Sequence, residues 1–121
     1  MNLCKYVFYK MFEKDPNINI DKANKELSDI LKNIKEPFGV FVTIYKKQIN
    51  KSNIHGCIGE YGDITIKKII SVGKNSINDY ERFNKKSKAS FSDAMIEISL
   101  LHSKERLNER IFNKPLQAIE P

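Results

Sequence analysis

Apolar residues near the start of the chain recur three and four positions apart, which is the period of an amphipathic helix. The first set is Leu3, Tyr6, Val7, Phe8 and Met11, and the second is Ala23, Leu27, Ile30, Leu31 and Ile34. The second set predicts a helix over 22–35, with Asp21 as its N-cap because a carboxylate accepts from the free amides of a first turn. Pro16 and Pro37 are expected to stop the first and the second helix. We expect both helices to pack on one side of the core.

The period changes to two beyond the second helix. Residues 38–45 are dense in β-branched and aromatic side chains and predict a strand. A polar segment and a second apolar run over 54–61 predict an antiparallel hairpin with it. Alternation returns over 94–102 and predicts a third strand. In the first strand Val40, Val42 and Ile44 share one face and Phe41, Thr43 and Tyr45 the other. In the third strand the more apolar face contains Ala94, Ile96, Ile98 and Leu100.

Helical spacing returns between the second and third strands. One stripe contains Ile66, Ile69, Ile70, Gly73 and Ile77. This stripe predicts a helix over about 65–80, after the break at Gly62-Asp63. Beyond the third strand, the segment Ser103 to Pro121 is expected to hold a short helix that ends before Pro115. The order of elements predicts an α+β fold, an antiparallel sheet with flanking helices.

Composition narrows the class of protein. The chain has 121 residues, 40% hydrophobic and 30% charged, which is typical of one globular domain. The sequence contains neither an apolar run of the roughly 20 residues that span a bilayer nor a signal peptide, so we expect a cytoplasmic or nuclear protein without a membrane partner. Cys4 and Cys57 are then expected to be free thiols.

The net charge of +6 raises the question of nucleic acid. The basic excess is the same in both halves of the chain, so charge does not mark one region. The local concentration is Arg82, Lys85, Lys86 and Lys88, and such a run is usually a solvated surface. Its alternative role is contact with phosphate groups, which predicts an affinity that falls steeply with salt.

Residues 55–59, His-Gly-Cys-Ile-Gly, place two glycines inside an otherwise apolar strand. Glycine weakens a strand, but it permits a bulge or the close approach of another backbone or a ligand. The structural interpretation is a bulged strand with a buried, inert Cys57, because free cysteine is often buried. The functional interpretation is a cleft shaped by Gly56 and Gly59.

Four ordered segments resemble the AMMECR-one family, the AMMECR1 domain. They are P-F-G-V-F-V-T at 37–43, H-G-C-I-G at 55–59, D-Y-E-R-F at 79–83 and I-E-I-S-L-L at 96–101. The family patterns are P-x-G-V-F-V-T, R-G-C-I-G, D-x-R-F and V-x-V-S-L-L. His55 stands where the family usually has arginine, and the third segment has one extra residue.

The resemblance implies an α+β fold with the G-C-I-G segment at a cleft, and a molecular activity that is poorly established. In prokaryotes the domain is associated with a Memo-like protein and a radical S-adenosylmethionine protein. The family domain is longer, with a later L-P-x-V motif. We therefore expect residues 1–121 to form one AMMECR-one-like domain that lacks the family's C-terminal portion, which would leave a sheet edge open to dimerisation.

Three functions stay open. The first is a binding or scaffold module for a protein or small molecule, with Gly56 and Gly59 shaping a groove and Arg82 and Phe83 at its rim. The second is an enzyme or redox protein in which Cys57 reacts and His55 lowers the pKa of its thiol or shuttles a proton. The third is weak nucleic-acid binding. Two cysteines and two histidines lack the spacing of a zinc site, so neither a metal nor a cofactor is expected.

Overall fold

The computed structural model describes residues 2–103, 110–112 and 116–119. Within these ranges the helices are α1 (Asn2–Met11), α2 (Ile20–Lys32) and α3 (Ile66–Ile77), and the strands are β1 (Pro37–Lys46), β2 (Ile54–Tyr61), β3 (Ala94–Ser103), β4 (Arg110–Phe112) and β5 (Leu116–Ile119). A short 3-10 turn, Tyr80–Phe83, comes after α3. The α+β prediction is confirmed.

The strands form an antiparallel sheet with β1 at its centre. β1 pairs with β2 on one side and with β3 on the other, while β4 and β5 pair with successive parts of the far edge of β3. The predicted hairpin of the first two strands is therefore confirmed. Because no described strand pairs with the outer side of β2, this strand is an edge of the sheet.

The main core lies between the helices and one face of the sheet. The face of β1 that contains Val40, Val42 and Ile44 and the predicted apolar face of β3 are both fully buried, and they meet Leu3, Val7 and Phe8 of α1 and Ile69 and Val72 of α3. Strand alternation thus correctly predicted which side chains of β3 enter the core, and it separated the two faces of β1. None of the helices in the described residues is long and apolar enough to cross a bilayer.

The second helix begins earlier than its sequence predicts. Asn19, not Asp21, is the N-cap: its side-chain oxygen accepts from the Asp21 N–H at 2.8 Å. Asp21 lies inside the first turn, where a carboxylate still interacts favourably with the helix dipole. The helix ends at Lys32, and the N–H of Asn33 donates to carbonyls of the last turn. Either residue type caps well, so periodicity alone did not select between them.

The third helix is rotated relative to its predicted stripe. Val72 and Ser76 are fully buried, whereas Ile70 and Ile77 are only partly buried. The buried side includes Gly73, where an added Cβ would overlap the side chain of Met11. Ile66, Ile69 and Gly73 of the predicted stripe are buried, so the structure differs from the prediction by adding Val72 and Ser76 to the buried side.

The short helix expected near the end of the chain is wrong for residues 110–112. These residues form β4, which pairs with Leu101, His102 and Ser103 of β3. An unpaired edge of β3 offers free N–H and C=O groups, and pairing with a β-branched or aromatic segment satisfies them. The remainder of that predicted helix lies outside the described residues.

Glu26 of α2 caps the beginning of α1. Its two carboxylate oxygens accept from the N–H groups of Asn2 and Leu3 at 2.9 and 3.2 Å. These amides have no partner within their own helix, so a residue distant in sequence supplies the missing acceptors.

We expect Glu26→Ala to lower the free energy of unfolding by about 0.5–2 kcal/mol, as loss of an N-cap does. Glu26→Gln keeps an acceptor oxygen and should recover most of that loss. Urea unfolding of the wild type, Glu26→Ala and Glu26→Gln measures the free energy of unfolding of each. Equal stabilities would contradict the capping role of Glu26.

Candidate functional site

β2 carries a bulge at His55. Gly56 pairs with Ile44 and Ile54 pairs with Tyr45, so His55 is an extra residue without an opposite partner on β1. A bulge changes the direction of the side chains next to it. It therefore breaks the regular alternation that would place His55 and Cys57 on the same face of the strand.

The thiol of Cys57 is half-buried and has a polar partner on the neighbouring strand. Cys57 pairs with Thr43, and its Sγ lies 3.2 Å from Thr43 Oγ1, where either group can donate. Thr43 alternates with the core residues Val42 and Ile44, so this contact is on the sheet face opposite the helices.

The peptide groups of Cys57 are held from the outer side of β2. Its N–H donates to Asp79 Oδ2 at 3.2 Å, and its C=O accepts from Arg82 Nη2 at 2.6 Å. Arg82 also donates through Nε and Nη2 to the Asp79 carboxylate at 2.7–3.1 Å. Three groups of one residue are thus fixed by Thr43, Asp79 and Arg82.

The ion pair has one sheltered and one exposed member. The side chain of Asp79 is 12% exposed and that of Arg82 is 58% exposed. Hydrogen bonds from Arg82 hold the pKa of Asp79 below its ordinary value, and the same bonds raise the pKa of Arg82. Arg82 further stacks on the ring of Phe83, with 4.6 Å between the guanidinium carbon and the ring centroid.

Gly56 is needed for contact between β2 and the end of α3. A Cβ at this position would overlap the carbonyl oxygen of Ser76. Ser76 is fully buried, and its hydroxyl accepts from the Ile58 N–H and lies within donating distance of Val42 O, at 2.8 Å. The space above this glycine is therefore filled by the protein's own backbone.

A glycine is also needed at position 59, because another part of the chain lies close to its backbone. A Cβ there would overlap the aromatic ring of Phe41, its partner on β1. The space next to both predicted cleft glycines is thus occupied by other residues of the chain. Their role as contacts for a ligand stays a prediction.

His55 lies in a different electrostatic environment from Cys57. It is only 9% exposed, and burial lowers the pKa of its imidazole. The backbone of Asn53 and the charge of Asp93 act in the opposite direction and Lys85 and Lys46 in the same direction, so the pKa stays below its ordinary value. Its Nδ1 is buried and has no hydrogen-bond partner in the described part of the chain. No hydrogen bond joins His55 to Cys57 among the described residues, and Cys57 is not among the charges that influence the His55 pKa.

Sequence reasoning missed four residues around Cys57. They are Thr43, Asp79, Tyr45 and Glu97. Tyr45 donates to Glu97 Oε1 at 3.1 Å, and burial together with Glu97 raises the pKa of Tyr45 to about 12. Cys57, Thr43 and Glu97 form one row across three strands. The alternation of β1 and β3 indicated this face, but only the register shows which residues are neighbours.

A separate groove of about 450 Å³ lies between α2 and the beginning of α3. Its apolar walls are Leu27, Leu31, Ile64 and Ile66, with Lys32 and Thr65 among the polar ones. It contains none of the residues predicted from the G-C-I-G segment. Within the described ranges, no three His, Cys, Asp or Glu side chains are placed to hold a metal ion.

Fold and site together define an α+β protein with helices on one face of an antiparallel sheet and a cysteine held on its edge strand. The AMMECR1 family model matches residues 1–121. The chain belongs to the AMMECR1 family, so the resemblance carried by its four segments is confirmed.

A solved structure gives a second comparison. The chain is similar to the crystal structure of the uncharacterized protein PH0010 from Pyrococcus horikoshii, with 21% identity and a TM-score of 0.48. The match covers 82% of this chain and 47% of that one, so the chain spans about half its length. No curated protein matches the chain.

The two glycines should differ in their tolerance of a methyl group. Gly56→Ala forces apart backbones of β2 and α3 and should cost about 3 kcal/mol or more, whereas Gly59→Ala meets a side chain that can rotate and should cost about 1–2 kcal/mol. Thermal unfolding of the two variants and the wild type measures both losses of stability. In a Phe41→Ala background Gly59→Ala should cost less, because the ring is gone, and an unchanged cost would contradict this explanation.

His55 should make stability depend on pH. Because its pKa is lowered in the folded state, the unfolded chain binds the proton first as pH falls through about 6.5. Stability is therefore complete above that pH and declines below it. Urea unfolding between about pH 5 and 7 should show a free energy of unfolding that falls as pH is lowered in the wild type and falls less in His55→Gln. Equal slopes in the two proteins would refute the role of His55.

Proposed function

We propose that this chain is a binding module and that its partner contacts the surface formed by Cys57, Arg82 and Phe83. The observation that carries the proposal is the immobilisation of Cys57, whose thiol, N–H and C=O are each bonded to a side chain from elsewhere in the sequence. Groups that are fixed before a partner arrives lose little entropy on binding.

Arg82 supports this proposal because part of its guanidinium is still available. Nε and Nη2 are engaged with Asp79 and the Cys57 carbonyl, whereas the hydrogen bonds of the described residues leave Nη1 without an acceptor. The plane is oriented by those bonds and by Phe83. A protein or small molecule that presents an acceptor oxygen beside a flat apolar group fits this pairing.

The lack of a hydrogen bond between His55 and Cys57, both of them described residues, favours binding over catalysis. A nucleophilic thiol needs a base or a cation in a position to favour its thiolate. The imidazole is buried beside Lys85 and Lys46, in surroundings that disfavour the protonated form needed to attract a thiolate. These surroundings support the binding proposal over the alternative in which His55 activates Cys57.

One observation favours the thiol alternative through a different residue. Arg82 lies beside Cys57 and donates through Nη2 to its carbonyl at 2.6 Å, whereas no hydrogen bond among the described residues joins His55 to Cys57. Arg82 rather than His55 is therefore the cation on which an enzymatic or redox role of Cys57 would depend. Nucleic-acid contact through the basic residues between Arg82 and Lys88 stays a prediction. One of these residues, Lys85, donates to the Ser52 carbonyl at 3.2 Å and is therefore engaged within the protein.

The rate of alkylation of Cys57 against pH separates the two functions. Cys4 is fully buried, and burial raises the pKa of its thiol to about 12, so a Cys4→Ala background leaves one reporting thiol. The binding proposal predicts slow alkylation, or a profile with a midpoint near the 8.5 of an unassisted thiol.

A midpoint at least one pH unit lower, returning to the free-thiol value in Arg82→Gln, would overturn the proposal in favour of thiol chemistry. His55→Gln is the matched control. We expect it to leave the midpoint unchanged, because the described hydrogen bonds do not connect His55 to Cys57.

A further inference from the structure

The outer side of β2 presents peptide groups of every second residue. Cys57 is one such residue, since its N–H and C=O reach Asp79 and Arg82 rather than β1. Gly59 and Tyr61 come after it at two-residue spacing, so their peptide groups face the same way. The C=O of Tyr61 accepts from Lys68 Nζ at 3.3 Å, which is consistent with a carbonyl that points away from β1.

A row of this kind is a template for another strand wherever its peptide groups are left uncovered. In an antiparallel sheet, a residue that faces a neighbouring strand donates its N–H to one partner residue and accepts from the same residue. At Cys57 the acceptor is the Asp79 carboxylate and the donor is the Arg82 guanidinium. Their own ion pair, at 2.7 Å, keeps the two in register with each other.

We infer that Asp79 and Arg82 take the place of a neighbouring strand and so prevent β2 from pairing with β2 of a second copy of this chain. The inference is independent of the proposed binding function. It also bears on the dimerisation expected from an open sheet edge, because it predicts that the wild type does not associate through β2.

The second copy is the occupant that the edge itself specifies. Antiparallel pairing of two identical strands about a two-fold axis at Gly59 places the Gly59 peptides opposite each other and Cys57 of each strand opposite Tyr61 of the other. Gly59 is exposed and has no side chain to obstruct the approach. Asp79 and Arg82 cover Cys57, and Lys68 bonds the Tyr61 carbonyl, so a second strand would have too few peptide groups for a stable pair.

The test is the oligomeric state of Asp79→Ala/Arg82→Ala, which removes both partners and leaves the net charge unchanged. Size-exclusion chromatography with light scattering should show a dimer whose fraction rises with protein concentration. Asp79→Asn retains an acceptor for the Cys57 N–H and should stay monomeric. Asp29→Ala, which removes an exposed acid paired with Lys25 on α2, is the matched surface control.

Amide hydrogen exchange identifies the surface. In the dimer of the double variant, the amides of Cys57 and Gly59 should become protected as concentration rises. A folded double variant that stays monomeric at every concentration would overturn the inference, as would a wild type that already dimerises with these two amides protected.

The wild type provides a test even where the double variant does not fold. The Cys57 amide should exchange at least tenfold more slowly than the Gly59 amide of the monomer, because the Asp79 carboxylate accepts from Cys57 whereas no described hydrogen bond covers the Gly59 N–H. Equal exchange of these two amides would show that the Asp79 bond is not maintained, and the inference would then be wrong.

Discussion

The close contact between the end of α3 and the backbone of β2 determines the rest of the site. Gly56 permits it, since any side chain there would overlap the Ser76 carbonyl. The fully buried Ser76 hydroxyl then links α3 to both β1 and β2. Because a buried hydroxyl without partners is costly, this contact is specific as well as close. It also places the residues directly after α3 beside Cys57.

Asp79 and Arg82 reach Cys57 because the chain turns immediately after α3. Asn78 ends the helix, Asp79 comes next, and the 3-10 turn brings Arg82 back toward the same carboxylate. The pair satisfies peptide groups of an edge strand and leaves one side of the guanidinium available. A single arrangement thus bonds both peptide groups of Cys57 on the outer side of β2 and fixes the orientation of the Arg82 guanidinium.

Several elements could be predicted directly from sequence pattern. The strands β1, β2 and β3 were predicted within a residue at each end, because alternation and β-branched residues report burial on one face. The caps and the rotation of the helices were less accurate. Asn19 and Asp21 both suit an N-cap, and Ser76 rather than Ile77 is fully buried because its hydroxyl lies within donating distance of the Val42 carbonyl. Neither choice depends on local sequence alone. Family membership was also predictable, through four short segments in the correct order.

Fold class, family membership and the core face of β3 were all readable from the sequence, since hydrophobic period and short motifs are local properties. The surroundings of Cys57 were not. The bulge at His55 and the register of β1 with β2 and β3 place Thr43 next to Cys57 and Glu97 next to Thr43 across the sheet. The turn after α3 places Asp79 and Arg82 beside the peptide groups of Cys57. The hydrogen-bonded partners Thr43, Asp79 and Arg82 lie 14, 22 and 25 positions from Cys57 along the chain, and separations of this kind leave no periodic signal in a single sequence.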